Sequence, residues 1–224
     1  MSIRGAIFDI DGTLFDSMFI WDTIGTEYLR SIGYEPKEKL NETFKAMSLY
    51  QAACYYKEEY GVTLSIDEII SGVNKMIEHD YHDVVQLKNG VAEFLEQLKK
   101  KDVKMCIATA TDRYLIQAAL KRHNIDSYFS EIFTCTSVGH GKDEPIIYHE
   151  ALKHLQSKKN ETIVFEDALY AIKTAKADGF ITIGIFDLYE NSILEVKNLS
   201  DYYMNDFSDF HSFWKFASKI NGSL

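Results

Sequence analysis

Short apolar runs recur at wide intervals along the chain and alternate with amphipathic stretches. The runs are typical of strands that are buried on both faces, and they span residues 3–10, 103–108, 131–135, 162–165 and 180–186. The stretches between them repeat apolar residues at helical spacing and span residues 91–101, 114–123, 146–155 and 168–177. Residues 202–204 add a short strand, and residues around 210–216 add an aromatic-rich helix. The alternation predicts an α/β fold with a doubly wound parallel sheet.

The segment of residues 16–85 interrupts this alternation. It has helical periodicity throughout, with predicted helices over residues 20–32, 40–60 and 66–81 and no convincing strand. We therefore predict a Rossmann-like core domain of residues 1–15 and 86–224, with an all-helical cap domain of residues 16–85 inserted after the first strand. Short hinges near residue 15 and near residues 87–90 would let the cap open and close over the core.

Composition and charge narrow the classes of function. The chain has 224 residues, 46% of them hydrophobic, which is enough for a well-buried core. A net charge of −10 without any basic stripe argues against nucleic acid and against an anionic membrane surface as partners. No run approaches the roughly 20 apolar residues of a membrane span, and the first residues do not resemble a signal peptide. Three cysteines, Cys54, Cys106 and Cys135, without a C-x-x-C pair suit a reducing compartment. We expect a cytoplasmic monomer, with Cys106 as an ordinary core residue.

The clearest chemical signal is the sequence FDIDGTL at residues 8–14, where an apolar strand ends in two carboxylates, a glycine and a hydroxyl. Asp9 and Asp11 lie two residues apart, so both side chains project to the same side of an extended chain. A bound divalent cation would hold both charges. The alternative is an aspartate pair that caps the next helix or starts a turn.

This sequence resembles the first motif of the haloacid dehalogenase-like hydrolases, and three later segments continue the resemblance. Thr109 ends the strand KMCIAT, as the second motif requires. Lys142 lies in GKDEP, where Asp143 replaces the usual first proline of the third motif. Glu166 and Asp167 end the apolar strand IVF, as in the fourth motif. The helical insert resembles the cap of the phosphoglucomutase-like and phosphoglycolate-phosphatase-like branch.

The resemblance implies a Mg²⁺-dependent phosphatase that hydrolyses a small phosphorylated metabolite, such as a sugar phosphate or a nucleotide, through an aspartyl-phosphate. Asp9 would be the nucleophile and Asp11 the general acid and base. The implied metal ligands are Asp9, the backbone carbonyl of Asp11, Asp167 and Glu166; the implied phosphate ligands are Thr109, the amide of Ala110 and Lys142. Taken singly, Thr109 is also typical of a strand-end hydroxyl bonded to backbone, Lys142 of a solvated lysine, and the Glu166-Asp167 pair of a helix cap.

Two other functions stay open at this point, a sugar phosphomutase and a catalytically silent protein that binds a phosphorylated metabolite. Mutase relatives have a histidine five residues after the acidic residue that Asp16 matches, and Trp21 stands there. A rough alignment places Leu49 where their cap arginine would be. Both differences favour hydrolysis. We predict that Trp21 lies on the first cap helix over the mouth of the site and contacts the substrate.

Other cap residues admit two interpretations. The aromatic residues could line a pocket or form the core between cap helices; they are Phe19, Trp21, Tyr50, Tyr55 and Tyr56. Lys45 and Lys75 could contact an anionic leaving group or be solvated.

Overall fold

The computed structural model describes residues 3–44 and 47–220. Its strands are β1 Gly5–Phe8, β2 Phe15–Asp16, β3 Gln86–Leu87, β4 Lys104–Thr109, β5 Phe129–Thr134, β6 Thr162–Glu166, β7 Ile181–Ile185 and β8 Tyr202–Met204. Its α-helices are α1 Met18–Trp21, α2 Ile24–Ser31, α3 Leu40–Phe44, α4 Leu49–Tyr60, α5 Ile66–His79, α6 Val91–Lys100, α7 Arg113–Arg122, α8 Cys135–Val138, α9 Ile146–Leu155, α10 Leu169–Ala177, α11 Ile193–Leu199 and α12 Phe210–Lys219. A π-helix, Asp80–Val84, follows α5 directly.

Six strands form one parallel sheet in the order β5-β4-β1-β6-β7-β8. Successive residues of the central strand β1 face opposite sides, because side chains alternate along a strand. Ile7 packs with helix α9 on one face, while Phe8 joins the larger core on the other. Both faces are therefore buried, which explains why the strands are continuous apolar runs. The predicted doubly wound α/β sheet is confirmed.

The cap consists of α1 to α5, and α2, α4 and α5 pack against one another. The sequence-based prediction of one helix over residues 40–60 is wrong, because α3 spans Leu40–Phe44 and a new helix, α4, begins at Leu49. Ser48 starts it: its hydroxyl accepts a hydrogen bond from the Gln51 amide, and the Gln51 side chain accepts one from the Ser48 amide at 2.8 Å. This capping box satisfies two amides that would otherwise lack partners at a helix start. The predicted helix over residues 20–32 is likewise divided into α1 and α2.

The two connections between core and cap lie side by side. Strand β2 pairs antiparallel with β3, and the Lys88 amide donates to the Leu14 carbonyl at 2.9 Å. The Lys88 ammonium donates to Asp187 Oδ2 at 2.9 Å, and both side chains are nearly buried. The chain therefore enters and leaves the cap at one place, anchored to the carboxyl edge of the sheet.

Cys106 is fully buried in the core beneath α9, as expected, and burial raises the pKa of its thiol. Cys54, Cys106 and Cys135 are free thiols. Within residues 3–44 and 47–220, no helix has the length and apolar character needed to cross a membrane.

Candidate active site

The candidate site lies where the strand order reverses. Strands β1, β4 and β5 follow one another in one direction, and the chain then returns to place β6 on the other side of β1. The carboxyl ends of such strands leave a crevice at the point of reversal. Here that crevice is a cavity of about 140 Å³, lined by core residues at the ends of β1, β4 and β6 and by residues of the cap.

Three buried carboxylates meet in this cavity. Asp9 follows β1, Glu166 ends β6 and Asp167 comes next, and one oxygen of each lies within 4.8 Å of the other two. The Lys142 ammonium, also buried, contacts Asp9 Oδ1 and lies 2.7 Å from Glu166 Oε1. The Tyr148 hydroxyl donates to the same Glu166 oxygen at 2.8 Å. A single ammonium thus faces three carboxylates.

Burial dominates the electrostatics of this cluster. It raises the pKa of Asp9 to about 8, against the opposing effect of Lys142 and with further repulsion from Glu166 and Asp11. Burial and the neighbouring Asp9 raise the pKa of Asp167 well above its usual range. For Lys142, burial acts to lower the pKa, but Asp9 and Glu166 outweigh it and raise the pKa. The cluster therefore lacks positive charge.

That deficit, together with the chemistry of the donors, fits a hard divalent cation. All candidate ligands are carboxylate or carbonyl oxygens, which Mg²⁺ prefers. Asp167 is held in place by the Thr13 hydroxyl, which donates to its Oδ1 at 3.0 Å. Gly12 lies beside it at φ +76°, and a Cβ at that position would collide with the Asp167 carboxylate. Glycine is therefore required both for the turn and for the approach of Asp167.

Three hydroxyl groups from separate segments hold Asp11. Ser17 and Tyr81 donate to Oδ1 at 2.6 and 2.5 Å, and Thr111 donates to Oδ2 at 2.6 Å. Tyr81 is fully buried in the π-helix, and its own oxygen accepts a hydrogen bond from Trp21 Nε1 at 2.9 Å. Single-turn π-helices recur at functional sites. The hinge, the cap and the strand β4 loop thus all fix the Asp11 carboxylate.

The structure places the other predicted residues at different distances from the cavity. Ala110, Lys142 and Trp21 line it. Thr109 is fully buried, and its hydroxyl accepts a hydrogen bond from the Thr111 amide at 3.1 Å, while Ala110 and Thr111 form the cavity wall here. The role of Thr109 toward phosphate therefore stays a prediction.

The cap residues also separate into two groups. Trp21 and Tyr56 line the cavity, whereas Phe19 and Tyr50 are exposed. Lys45 lies outside the described residues.

Sequence reasoning missed Tyr81, Thr111, Ser17 and Tyr148. Thr111 and Ser17 follow recognised motifs by only two and four residues, and these positions were the available signal. Tyr81 and Tyr148 occupy buried positions of helical segments, where a tyrosine is indistinguishable from an ordinary core aromatic.

The Rossmann-like sheet, the strand-end acidic residues with their buried lysine, and the inserted helical cap define a capped hydrolase. The chain belongs to the haloacid dehalogenase-like hydrolase family, whose model matches residues 6–185.

Individual relatives show similarity over most of the chain. A phosphorylated carbohydrates phosphatase of Thermotoga maritima is 25% identical over 79% of this chain and 82% of its own length. Pyrophosphatase PpaX of Bacillus mycoides is 26% identical over 99% of this chain and 100% of its own length. Among solved structures, CbbY from Rhodobacter sphaeroides in complex with phosphate superimposes with a TM-score of 0.81 at 19% identity, covering 93% of this chain and 96% of that one. The structural likeness supports the fold.

Proposed function

We propose that the protein is a Mg²⁺-dependent phosphatase that hydrolyses a small phosphorylated metabolite through an aspartyl-phosphate on Asp9. The buried cluster of Asp9, Glu166 and Asp167 around Lys142 carries the proposal. The names of the relatives, a phosphatase and a pyrophosphatase, agree with it. We also propose a monomeric, cytoplasmic enzyme in which residues 16–85 form the cap domain.

The proposed metal ligands are the side chains of Asp9, Asp167 and Glu166 and the backbone carbonyl of Asp11. When bound, Mg²⁺ supplies positive charge that offsets the repulsion between the Asp9 carboxylate and the substrate phosphate. Glu166 is the least free of the four, because one of its oxygens already accepts hydrogen bonds from Lys142 and Tyr148.

In the first proposed step, an Asp9 oxygen attacks phosphorus and the bond from phosphorus to the leaving oxygen breaks. Asp11 gives its proton to that oxygen, so the alcohol leaves neutral. In the second step, water attacks the phosphorus, Asp11 takes a proton from it, and the bond to Asp9 breaks to release phosphate. Thr109, the Ala110 amide and Lys142 hold the phosphate oxygens.

The mutase alternative requires the enzyme to hold a substrate with a second phosphate. Among the described residues that line the cavity, Lys142 is the single lysine or arginine, and Trp21 and Leu49 line the cap side. This wall favours hydrolysis. An assay that measures both phosphate release and isomer formation separates the two functions, and absence of either product would favour the silent binding protein.

Removal of divalent ions is the direct test of the proposed function. We expect a chelator to abolish phosphate release and Mg²⁺ to restore it, because the buried carboxylates then lack charge compensation. Calcium should support binding but little turnover, since its larger and more flexible shell relaxes the in-line geometry. Full activity in excess chelator would contradict the assignment of the cluster.

Tyr81→Phe removes one of the hydroxyls that hold Asp11. We expect kcat for an alkyl phosphate to fall by about tenfold, a part of the hundredfold or more that general acid catalysis contributes. The effect on p-nitrophenyl phosphate should be smaller, because its leaving group needs little protonation. Tyr28→Phe is the matched control, since Tyr28 is a buried cap tyrosine outside the cavity wall. Equal losses on both substrates would show that Tyr81 acts only through stability.

A further inference from the structure

The cap side of the cavity offers hydrocarbon. Phe44, Leu49, Ile70 and Val73 contribute apolar side chains to it. The polar atoms of its other aromatic residues are already used, since Trp21 Nε1 donates to Tyr81 and the Tyr56 hydroxyl donates to the Gly25 carbonyl at 2.5 Å.

Ser48, also in this wall, uses its hydroxyl in the helix cap of α4. A group that enters here therefore meets a surface with few free hydrogen-bonding partners.

The cavity also lacks a second positive charge. Lys142 is the single cationic side chain among the described residues that line it, and both Asp9 and Glu166 contact its ammonium. A phosphate bound near Asp9 would take up what remains of that charge. A further anionic group on the substrate would be buried without a partner, which is strongly unfavourable.

Asp22 adds a negative charge on the cap side of the cavity. It is half-buried, and in the described part of the chain its carboxylate forms neither an ion pair nor a hydrogen bond with another side chain. An anionic leaving group would be repelled, whereas a neutral or amine-bearing one would not.

We propose that the site accepts phosphomonoesters whose leaving alcohol is compact and apolar and carries no second anionic group. This inference rests on the proposed phosphatase function and names its substrate class. It separates the chain from the pyrophosphatase relatives, because the leaving group of pyrophosphate is itself an anion. It also predicts poor use of bisphosphates and of phosphorylated carboxylic acids.

The first test measures binding, so it does not depend on turnover. Benzylphosphonic acid and 4-carboxybenzylphosphonic acid share the same ring and phosphonate and differ by one carboxylate. With Mg²⁺ present, calorimetry on the full chain should give a Kd at least about tenfold lower for the uncharged ligand, a modest figure for an unpaired buried charge. 4-Aminomethylbenzylphosphonic acid should bind better than the carboxylate. Equal or tighter binding of the carboxylate overturns the proposal.

The second test measures kcat/KM for benzyl phosphate, 4-carboxybenzyl phosphate, glucose 6-phosphate and pyrophosphate. We expect benzyl phosphate to be the best of the four. Leu49→Arg, which introduces a cation into the wall, should improve 4-carboxybenzyl phosphate relative to benzyl phosphate by about tenfold, because the carboxylate gains a partner. Asp22→Asn should change the same ratio in the same direction by a smaller factor.

Asp67→Asn is the matched control for Asp22, because Asp67 is an exposed cap aspartate outside the cavity wall. It should leave both ratios unchanged. Pyrophosphate or glucose 6-phosphate as the best substrate, with release abolished by Asp9→Asn, would overturn the substrate class and keep the phosphatase. Release of phosphate from none of the four, with the phosphonate preference intact, would reject the phosphatase and keep the apolar site.

Discussion

Asp9→Asn is expected to lower phosphate release by at least about a thousandfold, since loss of a nucleophile removes most of the rate enhancement of enzymes of this kind. An amide is a poor nucleophile and a weaker metal ligand than a carboxylate. The fold should persist: Asp9 is one of three crowded carboxylates, and Lys142 keeps Glu166 as its partner. We expect the melting temperature to stay the same or to rise.

Asp11→Asn provides the comparison for this variant. It should also be strongly impaired on alkyl phosphates but should still accept phosphate covalently from p-nitrophenyl phosphate, because Asp9 is intact. Intact-mass measurement after rapid quenching detects the phosphorylated chain. If Asp9→Asn kept a tenth of the wild-type rate and Asp11→Asn had none, the nucleophile would have to be reassigned.

Lys142→Met should damage both stability and turnover. The substitution leaves Asp9, Glu166 and Asp167 together without an ammonium, and an uncompensated buried charge costs about 3–5 kcal/mol of unfolding free energy. It also removes positive charge from the transferring phosphoryl group, for which we expect a loss of about a hundredfold or more in kcat/KM. Denaturant unfolding and steady-state kinetics measure the two effects.

The double variant Lys142→Met/Glu166→Gln separates these effects. It removes one of the uncompensated charges and still lets the Tyr148 hydroxyl donate to the side chain at position 166. Stability should recover in part, while kcat/KM should not recover. Recovery of both would show that Lys142 serves the fold alone.

The sheet was predictable because its strands are buried on both faces, so each is an uninterrupted apolar run. The strand of residues 162–166 is buried throughout, and its pattern needs no tertiary information to interpret. The break before α4 was not predicted, although Ser48 and Gln51 stand at capping-box spacing. The apolar periodicity continues across the break, and it outweighed the polar signal.

The site was predictable where strand ends define it. Asp9 and Asp167 follow neighbouring strands of a parallel sheet, so their meeting follows from topology. The hydroxyl groups around Asp11 were beyond reach, because Ser17, Tyr81 and Thr111 converge from segments far apart in the chain. No periodicity records such a meeting.

The central position of β1 has a consequence for the order in which the protein is made. Residues 5–8 leave the ribosome early, yet their partners are residues 104–107 on one side and 162–165 on the other. The strand that carries Asp9 therefore stays without neighbours while the whole cap and half of the sheet are synthesised, and the first of those residues can find its last partner only when β6 emerges. Since domains fold as units during synthesis, the nascent chain must keep an apolar strand from aggregating throughout this interval. The two acidic residues that follow β1 are well placed to oppose aggregation until then.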